Sequence, residues 1–218
     1  MGACEVKSLG ITIERSTPEY VKVTRRTRET EVVAEVSLIK RDLSISTGIG
    51  FLDHMIEQLS WYTCMSIGIT VKCLKNRKLT HTVAEDAGLT LGYAFKELYI
   101  KRMNIGLNSA GSAYAAIDEA LALAVISIEG RSNAFINAEC EGATAENVED
   151  LKSKDLIAFI EGLAQGMRAT IHVRILQGKD PHHTWEATFR SLGWALREAF
   201  NVNEWRKGGI AGIKGTLD

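Results

Sequence analysis

The chain has only five histidines: His54, His81, His172, His182 and His183. Two are adjacent, in His182-His183-Thr184-Trp185-Glu186. On a helix, His182 and Glu186 share a face, while His183 points about 100° away. Neighbouring imidazoles that diverge can serve two different ions, and the Glu adds a hard oxygen donor. His81-Thr82-Val83-Ala84-Glu85 repeats the His-to-Glu spacing, with Thr82 where the second His would stand. His54 precedes the first of these segments and His172 the second. Imidazole and carboxylate donors together suit Mn, Fe, Co, Ni or Zn. One His near one Glu is more often a hydrogen-bonded pair. The recurrence of the spacing favours a metal site, with His54, His81, Glu85, His172, His182, His183 and Glu186 as its ligands. The cysteines, Cys4, Cys64, Cys73 and Cys140, form no C-x-x-C pair and read as free thiols.

The recurrence belongs to a duplication. Sliding the sequence by 101 residues lays His81 on His182, Glu85 on Glu186, Leu91 on Leu192, Gly92 on Gly193, Ala94 on Ala195 and Glu97 on Glu198. With small gaps, Ile69–Lys72 resembles Ile171–Arg174, and Ile56–Leu59 resembles Ile160–Leu163. Two halves are expected, 1–105 and 106–218, packed as one unit because no Pro/Gly/Ser-rich linker parts them. Alternation predicts strands at Tyr20–Arg26, Glu31–Ile39 and Ser66–Leu74, and helical spacing predicts helices at Phe51–Tyr62 and Thr82–Ile100. In the second half the corresponding expectations are strands near Ala122–Ile128, Asn133–Cys140 and Ala169–Leu176, and helices Lys154–Met167 and Thr184–Phe200. The fold class is therefore α+β, each half a mainly antiparallel sheet with two helices on one face.

Composition narrows the function. Apolar residues at 45% and charged residues at 24% exclude disorder as the main state. Lys+Arg 26 against Asp+Glu 27 gives 26 − 27 = −1, which supplies no sustained positive field, so no nucleic acid is expected as a partner. The longest apolar run, Ala120–Ile126, is too short to span a bilayer, and Met1–Leu9 lacks the apolar stretch of a secretory signal. A cytoplasmic protein without membrane contact is the expectation.

Thr47-Gly48-Ile49-Gly50-Phe51-Leu52-Asp53-His54-Met55 closely resembles the signature of the imidazoleglycerol-phosphate dehydratase family. Arg25–Thr30, Asp118-Glu119-Ala120-Leu121, Gly130-Arg131, His182–Glu186 and Lys214-Gly215-Thr216-Leu217 resemble further family motifs, so the likeness runs from about Val21 to Leu217. The resemblance implies two ribosomal-S5-domain-2-like halves and a homo-oligomer of 24 subunits with octahedral symmetry. It also implies one or two Mn2+ ions per site (Zn2+ or another divalent transition metal being the alternative), held by His and Glu from neighbouring subunits. The implied reaction is the loss of water from imidazoleglycerol phosphate in histidine biosynthesis. Glu29, Glu85, Glu186 and His54 are the implied catalytic groups, with Arg131 and Lys214 on the phosphate. Several positions depart from the family pattern. Thr82 replaces a His, Tyr62 replaces a His, Ser109 replaces an Arg, Gly212 replaces a Ser, and Glu129 stands beside Gly130-Arg131. These departures leave open a paralogue on the same scaffold that acts on another azole-like substrate or has no turnover.

Overall fold

The computed structural model describes residues 8–76, 78–210, 212 and 215–217. In the first half, β1 (Gly10–Ser16), β2 (Tyr20–Arg26), β3 (Thr30–Ser37) and β5 (Ser66–Cys73) pair antiparallel, and the short β4 (Ile45–Ser46) runs parallel to β5. Helix α1 (Gly50–Thr63) joins β4 to β5, and α2 (Thr80–Arg102) follows β5. The second half has β6 (Ala110–Ile117), β7 (Ala120–Ser127), β8 (Asn133–Asn137), α4 (Ser153–Met167), β11 (Thr170–Gln177) and α5 (Pro181–Ala199). Between β8 and α4 it inserts the short α3 (Glu141–Thr144) and the pair β9 (Asn147–Val148) and β10 (Leu151–Lys152). The two sheets run β1-β2-β3-β5-β4 and β6-β7-β11-β8. Without β1, the orders β2-β3-β5-β4 and β6-β7-β11-β8 are the same. The fold is thus the expected α+β duplication, with antiparallel-rich sheets.

The strands expected near Ala122–Ile128 and Asn133–Cys140 are present as β7 and β8, but β6, which opens the second half, was not expected. Ala110-Gly-Ser-Ala-Tyr-Ala-Ala-Ile117 has few β-branched or aromatic residues, so propensity hid it. The small residues are required by α5, since a Cβ on Gly111 would lie 2.1 Å from the Ala195 carbonyl oxygen. Helices α2 and α5 also begin earlier than expected, which puts His81, His182 and His183 in their first turns.

The helices lie between the sheets. Val21, Val23, Val32, Ala34 and Val36 face inward in alternation, and one continuous apolar core runs through both halves. Across the join, α2 packs on α4 and α1 on α5. The first of these contacts is backbone to backbone. A Cβ on Gly92 would sit 2.4 Å from the Leu163 carbonyl oxygen, and one on Gly166 2.1 Å from that of Leu89. The halves also share a helix cap. Asp150 of the second half accepts from the backbone N–H of Gly50 (2.7 Å) and Phe51 (2.9 Å), the exposed start of α1. Such a cap is worth about 1 kcal/mol. No helix among the described residues is long and apolar enough to cross a membrane.

Candidate metal centre

The run from Thr47 to Met55 is a device for presenting His54. Asp53 Oδ1 accepts from Thr47 N–H (2.7 Å) and Thr47 Oγ1 (2.6 Å), tying the entering loop to the helix. Gly48 takes φ +78° in that loop, a left-handed conformation that suits glycine. Phe51, Leu52 and Met55 are buried and anchor α1, so His54 emerges half-exposed at a fixed height. The facing element is equally fixed. Asp180 caps α5 by accepting from His182 N–H (2.8 Å) and His183 N–H (3.3 Å), with Pro181 in the first turn, where its missing N–H costs nothing.

These supports bring His54, His182 and Glu186 together, with one ligand atom of each within 4.8 Å of the others. Glu186 Oε2 lies 3.6 Å from His54 Nε2 and 3.4 Å from His182 Nε2. A ligand shell with bonds of about 2.1 Å has edges of roughly 3.0–3.4 Å, so the cluster fits a transition-metal ion with little movement. The backs of the ligands are engaged too. Arg190 donates to Glu186 Oε1, which turns Oε2 toward the imidazoles. Glu149 Oε1 lies 3.2 Å from His182 Nδ1, and Glu57 Oε2 lies 3.6 Å from His54 Nδ1. A carboxylate at Nδ1 leaves the Nε2 lone pair for a cation. Phe51 closes one side, its ring edge-on to His182 at 5.0 Å. Tyr62 lies behind the centre, under the Arg190 guanidinium (5.3 Å) and against Trp194.

His183 diverges from His182, as the helical geometry requires. Its Nδ1 lies 3.1 Å from Glu119 Oε2 and its Nε2 3.6 Å from Asp118 Oδ2. The Asp180 N–H above all, then the His183 ring and the Lys179 N–H, hold the Glu119 carboxyl down at about 2. The hydrogen bond to Glu119 in turn raises His183 above its ordinary 6.5. A raised basic group stabilises the fold fully below its unfolded pKa and loses that contribution as pH rises through the folded one. Glu119→Gln should therefore lower the melting temperature of metal-free protein more at about pH 6 than at about pH 9. An equal loss at both pH values would contradict this pairing.

The other expected residues are distributed elsewhere. His81 and Glu85 lie in the first turns of α2, their Nε2 and Oε2 3.9 Å apart. Glu29 lines a small cleft with Thr82 and Val83, near the start of that helix. His172 is outside the cluster. Ile171, Val173 and Ile175 of β11 point into the core, so His172 faces outward and stacks on Phe135 at 4.7 Å. Arg131 is exposed after Gly130, and a Cβ on Gly130 would meet the Leu217 carbonyl oxygen at 2.4 Å, so Arg131 and the C-terminal segment are neighbours. Lys214 falls outside the described residues. Ser109 is buried, bonded to Tyr99 Oη at 2.7 Å, and lines a cavity of about 460 Å³ whose cationic residues are Arg206 and Lys207. Sequence reasoning passed over Glu119 as a site residue and missed Glu149 and Arg190. Of these only Glu119 carried a signal, its place in the Asp118–Leu121 motif.

Comparison with known proteins identifies the family. Residues 47–196 match the family model described as imidazoleglycerol-phosphate dehydratase. The Saccharomyces cerevisiae imidazoleglycerol-phosphate dehydratase is 38% identical over 178 residues, 81% of this chain and 77% of the yeast protein. That of Caldivirga maquilingensis is 35% identical over 201 residues, covering 92% and 100%. The crystal structure of IGPD from Pyrococcus furiosus in complex with (S)-C348 superposes with a TM-score of 0.75 at 32% identity, covering 89% of this chain and 99% of that one. Motif, fold and whole-chain identity lead to one assignment: the chain belongs to the imidazoleglycerol-phosphate dehydratase family.

Proposed function

We propose that the chain converts imidazoleglycerol phosphate to imidazole-acetol phosphate and water, a step of histidine biosynthesis, using a divalent metal held by His54, His182 and Glu186. The convergence of two Nε2 atoms and one buried carboxylate oxygen is the observation that carries the reading. A bound Mn2+, or Zn2+ in its place, would act as a Lewis acid that favours the electron-rich, N-deprotonated imidazole able to expel hydroxide from the adjoining carbon. The chain's own groups do the rest. Hydroxide leaves the carbon beside the ring, and a carboxylate, Glu29 or Glu85, takes the proton from the next carbon. The resulting enol keeps its hydroxyl on that second carbon and becomes the ketone there, so proton and hydroxide together balance as water. Arg131, with Lys214, holds the phosphate by charge-assisted hydrogen bonds. Thr82 and Ser109 leave the α1/α5 ligands intact, so they bear on affinity rather than on reaction class.

The same reading takes residues 1–105 and 106–218 as the two halves of a cytoplasmic homo-oligomer of 24 subunits. The sheets differ in a way that supports assembly. Outside the first sheet, Lys22 and Arg26 pair with Glu35 and Glu31. Outside the second, Tyr114, Val125 and Phe135 are exposed around His172, an apolar face suited to another copy of the chain. His172 and His183 would then be ligands offered across subunit contacts. Expression in a histidine auxotroph lacking its own dehydratase tests the function. Growth without histidine is expected, and folded protein in cells that still need histidine would overturn the proposal.

A further inference from the structure

The duplication lets each helix pair be compared with its counterpart. Matching Ile56–Leu59 with Ile160–Leu163 makes position 155 the counterpart of 51 and position 158 the counterpart of 54. His81 and Glu85 are likewise the counterparts of His182 and Glu186. Where α5 meets α1, His182 is flanked by the Phe51 ring and joined by a second imidazole, His54. Where α2 meets α4, the Phe51 position is Asp155 and the His54 position is Ala158. An imidazole has been lost there and a carboxylate gained.

That carboxylate is out of water altogether, its side chain 0% exposed. Asp155 Oδ2 accepts from Thr80 Oγ1 at 2.6 Å. Its Oδ1 is buried without a hydrogen bond and lies 3.4 Å from His81 Nδ1. A buried carboxylate oxygen without a donor is costly, so its presence there answers to something other than stability. The acids behind the other helix-start imidazoles, Glu149 and Glu119, are exposed by contrast, at 60% and 38%.

We propose that Asp155 is the positioning residue of His81. With a small turn of the ring its Oδ1 accepts the Nδ1 proton, fixes that tautomer and ring orientation, and so aims the Nε2 lone pair to the side of Glu85, where a second divalent cation binds. It offsets Thr82 and Ala158, which provide no imidazole at this centre. The inference rests on the metal reading above and adds a role which that reading does not require.

The test uses full-length protein and the variants Asp155→Leu, Asp155→Asn and His81→Ala. Mn2+ and Co2+ uptake is followed by calorimetry and by metal content after dialysis. The visible absorption of the Co2+-loaded protein and the melting temperature of the metal-free protein are recorded alongside. Asp155→Leu should weaken the His81-dependent uptake by about 10–100-fold and change its Co2+ spectrum, with the melting temperature unchanged or higher. Asp155→Asn should recover most of the affinity, because its amide oxygen still accepts from Nδ1–H. Uptake that depends on His182 should be the same in all three. If Asp155→Leu does not fold, Asp155→Ala takes its place. Wild-type affinity in the Leu variant overturns the proposal, as does an Asn variant no better than Leu. Metal uptake that is identical in wild type and His81→Ala also overturns it, while leaving the His54/His182/Glu186 centre standing. A wild-type protein that takes up no metal overturns both.

Discussion

His182→Ala should reduce retained metal and dehydratase turnover by more than about 100-fold, while the fold survives. The argument is comparative. Changing a group behind a metal ligand typically costs 10–100-fold in affinity or activity. His182 is no such group, for its Nε2 itself lies in the cluster, 3.4 Å from Glu186 Oε2. Its side chain is 36% exposed, so little packing is lost with it. Glu149→Gln, which alters only the partner of His182 Nδ1, should fall within the 10–100-fold range. Metal content by mass spectrometry and turnover at saturating metal separate the two effects. If His182→Ala and Glu149→Gln have equal effects, His182 is not a ligand.

Gly166→Ala carries the largest expected loss of stability. The new Cβ would lie 2.1 Å from the Leu89 carbonyl oxygen and 2.9 Å from the Tyr93 nitrogen. Both atoms are backbone of α2, so no side chain can swing aside. Helices α2 and α4 would have to separate along the seam between the halves, where a Cβ on Gly88, Gly92 or Gly162 would also come within 2.1, 2.4 or 2.6 Å of the facing backbone. Overpacking costs typically 1–3 kcal/mol, and a backbone-to-backbone contact belongs at the top of that range, about 3 kcal/mol. For a chain of this size that is roughly 6–12 °C in melting temperature. Gly50→Ala is the control, since its Cβ would meet only the Asp150 carboxylate at an ordinary 3.4 Å. A Gly166→Ala protein that melts with the wild type would show that the helices are not in backbone contact.

These cases also show how far the sequence could be read. Helix faces and the His/Glu spacing were legible because a period and a repeat are local signals, although the start of α5 at the Asp180-Pro181 cap was placed three residues late, at Thr184. Strand β6 was not legible, because its small residues answer to α5 some 80 positions later, not to strand propensity. The glycines of α2 and α4 are spaced four apart, but only the packed pair shows that they face each other. The cap of α1 was hidden because its acceptor, Asp150, lies 100 residues away. Nothing local in the sequence marks Asp155. Its burial, and its place behind His81, follow from the packing of one half on the other.

The most direct measurement of the central claim is turnover of imidazoleglycerol phosphate by the purified protein, before and after chelation, and again after Mn2+ is restored. Formation of imidazole-acetol phosphate is expected, abolished by the chelator and recovered with the metal in wild type but not in His182→Ala. Turnover that persists in the stripped protein, or that His182→Ala recovers as fully as wild type, would contradict a reaction built on the His54/His182/Glu186 centre.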